Sequence, residues 1–138
     1  MRTWEVRALQ LCVALCGCVP VAAGLAGVWL GPQLAGDSSA PIPLDSHFRY
    51  LSGLLLAIGV GFWTTIPGIL LRSRRFRLLT ALVVVGGLGR LTSLFAVGTP
   101  DPPMLFGLAM ELVITPALAL WQWRLARDPL APPLGRTI

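Results

Sequence analysis

Charge is what this chain has least of. Only 12% of its 138 residues are charged, where a soluble domain carries about 25%. Lysine is absent altogether, so all eleven basic residues are arginine, which hints at a GC-rich bacterial genome. There is one histidine, and there are three cysteines. A Cys/His metal centre needs several soft or imidazole ligands together. Here Cys12, Cys16 and Cys18 crowd into one apolar run while His47 stands far along the chain. Free cysteines acting as small hydrophobes suit that placement better, and no metal is expected. No nucleophile–base pair or cofactor motif is present either, so no catalytic residue and no cofactor is expected. Enzyme status leans to no, with Glu111 as acid or base the one enzymatic alternative. Net charge is +5 and the pI about 10.5. The arginines form no basic face interleaved with aromatics, so nucleic acid is not the partner that charge points to.

What fills the chain instead is apolar. Hydrophobic residues make up 55% and mean hydropathy is +0.76. Four apolar runs stand out, at about 8–30, 50–71, 78–97 and 104–123. Each is close to the roughly 20 residues needed to cross a bilayer. They predict an all-α integral membrane four-helix bundle, antiparallel and up-down, as one domain over 1–127 with a disordered cytoplasmic tail over 128–138. Arg2 and Arg7, Arg72, Arg74, Arg75 and Arg77, and Arg124, Arg127 and Arg136 all fall on one side of such a topology. By the positive-inside rule both termini are then cytoplasmic, in a bacterial inner membrane. The basic turn at 72–77 could also hold anionic lipid headgroups.

The first run follows two arginines, so a signal peptide has to be weighed against a span. Ala23-Gly24-Leu25-Ala26 offers a small-residue site, and Leu15-Cys16-Gly17-Cys18 faintly resembles a lipoprotein box. The run nevertheless continues to Trp29-Leu30, which favours an uncleaved span. Ala23, Gly27 and Gly31 repeat every four residues, as do Gly53, Ala57 and Gly61. Both sets predict close-packing faces, along with Gly86, Gly87 and Gly89. In the second run Pro67 is expected to bend the last turns.

Two ionisable residues lie deep in the third and fourth runs. Arg90 precedes the loop 98–103 by eight positions, and Glu111 follows it by eight. At 1.5 Å per residue both sit roughly 12 Å from the same membrane face, on neighbouring antiparallel helices. A charge at a helix centre costs about 2.5–3.5 kcal/mol, so the two should find each other. The pair reads as a polar site for a proton, headgroup or ligand, or as a lock on helix register. Glu111 could also be protonated, since burial and a neighbouring arginine pull its pKa in opposite directions. Ser93 and Thr115 lie near enough to join the site. Pro116 should free the carbonyl of Leu112 and kink the helix beside Glu111. Asp45 or Ser46 is a plausible N-cap for the second helix, and Asp45 and Arg49 are spaced to pair. Together with His47 they would form an outer vestibule, or serve merely as interfacial capping and solvated polar residues.

The chain resembles a family of small bacterial four-span membrane proteins, the domain-of-unknown-function 4345 family. The resemblance covers roughly 44–123. It rests on Phe48-Arg49-Tyr50-Leu51-Ser52-Gly53, on Gly86-Gly87-Leu88-Gly89-Arg90-Leu91-Thr92-Ser93 with Gly98 and Pro100, and on Glu111-Leu112 with Pro116. It implies that Arg49, Arg90 and Glu111 are typical polar positions, and it brings no activity. The first run and the arginine-rich turn lie outside the recognised pattern. The leading expectation is a membrane protein binding a lipid-like or small amphipathic ligand at Arg90 and Glu111, in a transport or accessory role. Membrane lipids and a second copy of the chain are the other expected partners. The alternative is a structural or assembly subunit in which the pair only fixes packing.

Overall fold

The computed structural model describes residues 2–127, and among them all regular structure is helical. The tail expected at 128–138, with Arg136, lies outside the described residues. Helix α1 is Arg2–Leu30, followed by a 3-10 turn at Gly31–Ala35. Then come α2, Ile42–Trp63, α3, Ser73–Ala96, and α4, Pro102–Arg127. Three stretches are long and apolar enough to cross a membrane: Thr3–Ala35, Ser73–Ala96 and Pro102–Arg127. This suggests a membrane protein. The chain divides into two compact units, one of Gln10–Pro67 and one of the remaining residues.

In the first unit α1 and α2 pack antiparallel along one seam. A Cβ on Gly24 would lie 2.6 Å from the Leu56 backbone nitrogen, and Gly27 faces Ser52. Gly17 faces Trp63, whose indole N–H donates to the Ala14 carbonyl at 3.1 Å. Gly59 on α2 meets Val21 and Pro20 in return. From Gly17 to Gly24 α1 advances seven residues while α2 runs back seven, from Trp63 to Leu56. The α2 positions recur at 49, 52, 56, 59 and 63, a 3.5-residue period that stays on one side of a helix. Gly27 and Gly31 pack closely as expected, and the other positions of the two expected faces are corrected. A strict four-residue repeat drifts around the axis, so Ala23 and Ala57 are exposed and a Cβ on Gly53 would reach only Val28, at 3.9 Å. Half-buried Gly61 offers its carbonyl to the Thr64 hydroxyl.

The ends of α2 differ from expectation at both sides. The helix begins eight residues before Tyr50, because Pro41 caps it and Pro43 fits its first turn, where no N–H is needed. The Pro41 carbonyl accepts from the N–H of Asp45, which is therefore in the first turn and not the cap. At the other end the helix stops at Trp63, and 64–72 is a run of turns. Pro67 removes a donor and disfavours helix at Ile66. Thr64 and Thr65 hydroxyls take the carbonyls of Gly61 and Phe62, and Gln10 donates to the Ile66 carbonyl at 2.8 Å. Only 50–63 of the expected second span is thus helical. Asp45, His47 and Arg49 fall inside α2, which lowers its hydropathy below that of the three stretches apolar enough to cross.

In the second unit α3 packs antiparallel on α4. Near one end Gln122, fully buried, donates to the Ile69 carbonyl at 2.9 Å and to the Ser73 hydroxyl at 2.7 Å. Leu9, Ile69, Phe76 and Leu125 are the buried apolar residues of this unit. Helix α3 extends back to Ser73, so the arginines at 74–77 stand on its first turns and not in a tight loop.

Candidate functional site

Arg90 and Glu111 meet across α3 and α4. The Arg90 Nε donates to Glu111 Oε1 at 3.0 Å. The approach is set by Gly87, one turn earlier on α3. A Cβ there would stand 2.7 Å from Leu112 Cδ2 and 2.9 Å from Glu111 Cβ. Successive helix residues point about 100° apart. Of the three glycines expected to pack, Gly87 alone therefore faces α4, while Gly86 and Gly89 have open space beside them.

The helix around Glu111 is not a plain α-helix. Met110–Ile114 forms a π turn between α-helical Pro102–Ala109 and Thr115–Arg127. The Thr115 N–H and hydroxyl both donate to the Met110 carbonyl, the hydroxyl at 2.8 Å. Pro116 cannot donate to Leu112 and its ring would crowd that carbonyl in a regular helix. One inserted residue relieves the conflict, so the expected distortion takes the form of a π turn. Such insertions in α-helices are frequent at functional sites.

The pair is incompletely satisfied. Glu111 Oε2 is buried and has no hydrogen-bond partner among the described residues. A guanidinium carries five N–H donors. Arg90 uses Nε on Glu111 and Nη1 on the Met104 sulfur at 3.1 Å, while Nη2 bonds to none of the described residues. The Arg90 side chain is 37% exposed and that of Glu111 15%. Gly107 lies beside the guanidinium, its would-be Cβ 3.9 Å from Arg90 Cζ. Met104 and Gly107 were not among the expected residues. Their spacing of seven and four before Glu111 places them on its face of the helix, and that was the signal to read.

Ser93 and Thr115 do not join the pair. Ser93 is exposed and makes no hydrogen bond to Arg90, and the Thr115 hydroxyl is occupied by its own helix. Ser93 follows Arg90 by three residues, but its short side chain ends far from a guanidinium that reaches toward α4.

Asp45 and Arg49 belong to the other unit. They form a two-pronged pair, Nε to Oδ2 at 2.9 Å and Nη2 to Oδ1 at 3.1 Å. Arg49 Nη1 also donates to the carbonyls of Val28 at 2.6 Å and Trp29 at 2.9 Å. Those are among the last carbonyls of α1, which have no donor within their own helix. Gly31 makes the close fit possible. It has φ +63, and a Cβ there would lie 2.6 Å from Arg49 Nη2 and 2.7 Å from Asp45 Oδ1. The Arg49 hydrogen bond holds the Asp45 carboxyl below its ordinary pKa, and the same bond raises that of Arg49. His47 is exposed and lies against Tyr50, with ring centroids 6.4 Å apart and no bond to Asp45 or Arg49. This geometry is a helix clamp.

Among the described residues no cluster of His, Cys, Asp and Glu is placed to hold a metal. Residues 8–122 match the family described as Domain of unknown function (DUF4345), and the chain belongs to it. The match reaches back beyond 44 to take in the first apolar run, and it also covers the arginine-rich turn, which lies outside the recognised pattern. No curated protein and no solved structure matches the chain.

Proposed function

We propose that Arg90 and Glu111 form a binding site for a lipid-like or small amphipathic molecule, in a four-span protein of a bacterial inner membrane with both termini cytoplasmic. One observation carries this reading. The Arg90 guanidinium is anchored on one edge by Glu111 and Met104, and its Nη2 edge bonds to none of the described residues, while Gly86 and Gly89 leave open surface elsewhere on α3. With Glu111 ionised the pair is neutral overall. It then suits an oxygen acceptor, such as a carbonyl or hydroxyl, better than a full anion. The bare glycine surface lets an apolar body lie close to the α3 backbone. Glu111 orients the arginine and offsets its cost in an apolar setting. The arginine distribution supports the orientation, and α2 from Tyr50 onward with the turns after it would complete the four crossings.

Native mass spectrometry of the protein released from lipid nanodiscs tests the site, with Arg90→Leu and Glu111→Leu alongside. A small molecule retained by the wild type and lost from both variants is the expected result. Bare protein in every sample, with the variants falling apart or changing copy number, refutes ligand binding. The pair would then be a packing lock.

A further inference from the structure

We propose that the last turns of α4 hold one anionic phospholipid, with its phosphodiester seated between Arg124 and Arg127. The proposal does not depend on the Arg90–Glu111 reading. Gln122 and Leu125 are buried, at 0% and 7% exposure, and this fixes the rotation of the helix end. The opposite side, Leu120, Trp123, Arg124 and Arg127, is exposed. These positions are spaced i, i+3, i+4 and i+7, so they form one stripe. Along it the chemistry passes from aliphatic to aromatic to cationic over about 10 Å. That is the order a phospholipid presents from acyl chain through interface to phosphate.

The charged end of the stripe opens on a cavity of about 600 Å3, lined by Glu5, Trp121, Trp123, Arg124, Leu125 and Arg127. The volume suits a lipid headgroup. Arg127 is held in place by Trp123, its Cζ 4.5 Å from the ring centroid. Stacking on a ring face leaves the guanidinium edge free to grip phosphate oxygens in pairs. Two arginines and Glu5 leave one net positive charge, which matches a singly charged phosphodiester. Glu5 adds a single acceptor for a headgroup hydroxyl. Phosphatidylglycerol has both features.

The test uses the full chain in nanodiscs of phosphatidylcholine and phosphatidylglycerol, with retained lipid counted by native mass spectrometry after release. Wild type is expected to keep one phosphatidylglycerol in preference to phosphatidylcholine. An arginine near an anionic surface is worth about fivefold, so Arg124→Gln/Arg127→Gln should retain roughly 30-fold less. Arg74→Gln/Arg77→Gln removes the same charge elsewhere and should retain the wild-type amount. Loss in that control, equal retention of both lipids, or an unaffected Arg124/Arg127 double variant each overturns the proposal. Displacement of the lipid by inorganic phosphate would also overturn it, assigning the cavity to a soluble phosphate ester.

Discussion

Three neighbouring glycines on α3 should respond to alanine with opposite signs. Gly86 and Gly89 have open space where a Cβ would go, and both lie inside a helix. Replacing either with alanine gains about 0.5–1 kcal/mol from helix propensity and meets nothing. Gly87→Ala gains the same amount but sets a methyl 2.7 Å from Leu112 Cδ2 and 2.9 Å from Leu112 Cγ and Glu111 Cβ. The Leu112 Cδ2 methyl can swing aside. The other two atoms sit next to the α4 backbone, so the helix itself must move. Overpacking of this kind costs about 1–3 kcal/mol, which at mid-range leaves a net loss of roughly 1 kcal/mol and at most about 2.5 kcal/mol. For a chain of this length that is a fall of about 2–8 °C in Tm, against a small rise for the other two. Thermal unfolding in one detergent, with the three variants side by side, reads the difference. If Gly87→Ala melts with Gly86→Ala and Gly89→Ala, then α3 and α4 do not meet in this register. The Arg90–Glu111 contact would fall with it, because the same approach brings the two side chains together.

Two further outcomes follow from the ion pairs. Arg90→Leu and Glu111→Leu should each destabilise by about 1–3 kcal/mol, while the double variant loses less than their sum, since each single change strands the other charge; strict additivity in a double-mutant cycle would refute the pairing. The Asp45 carboxyl is held below its ordinary pKa by Arg49, so its contribution is present above the unfolded value of about 3.9 and is lost as pH falls through the folded one. The stability gap between wild type and Asp45→Asn, measured by the same melt, should therefore be open at pH 7 and close toward pH 3.

The sequence made the helical class, the apolar runs and the depth match of Arg90 and Glu111 legible, because hydropathy and helix rise are local quantities. The end of α2 was less so. The apolar residues from Thr64 to Leu71 read as more span, and hydropathy does not register that two threonines and Pro67 capture or remove the bonds a helix needs. The packing glycines misled for another reason. A repeat of four catches the eye, yet a long helix pair keeps contact at 3.5 residues, the period carried by Arg49, Ser52, Leu56, Gly59 and Trp63. The π turn was half visible. Pro116 announced a conflict at Leu112, but whether a helix answers with a bend or an inserted residue depends on its neighbour, here α3 against Leu112.

The two arginines that pair with carboxylates differ in what they leave unused. Arg49 spends its guanidinium on both oxygens of Asp45 and on two carbonyls at the end of α1. Four of its five N–H groups already have acceptors, all of them oxygens, so little of it is left for a ligand. Arg90 has one oxygen and a sulfur, a weak acceptor, and an edge that bonds to none of the described residues. An unmet donor away from water costs about 1–3 kcal/mol. A lock could remove that cost with a shorter side chain or a second acceptor. An oxygen-bearing ligand removes it only while bound, and that difference in energy is the affinity the site can offer. Glu111 is short in the opposite sense, since its second oxygen is buried and needs a donor, which a ligand hydroxyl but not a carbonyl would bring. Arg90 and Glu111 are therefore the residues to vary in a search for a ligand, and Arg49 is the residue to vary in a study of folding.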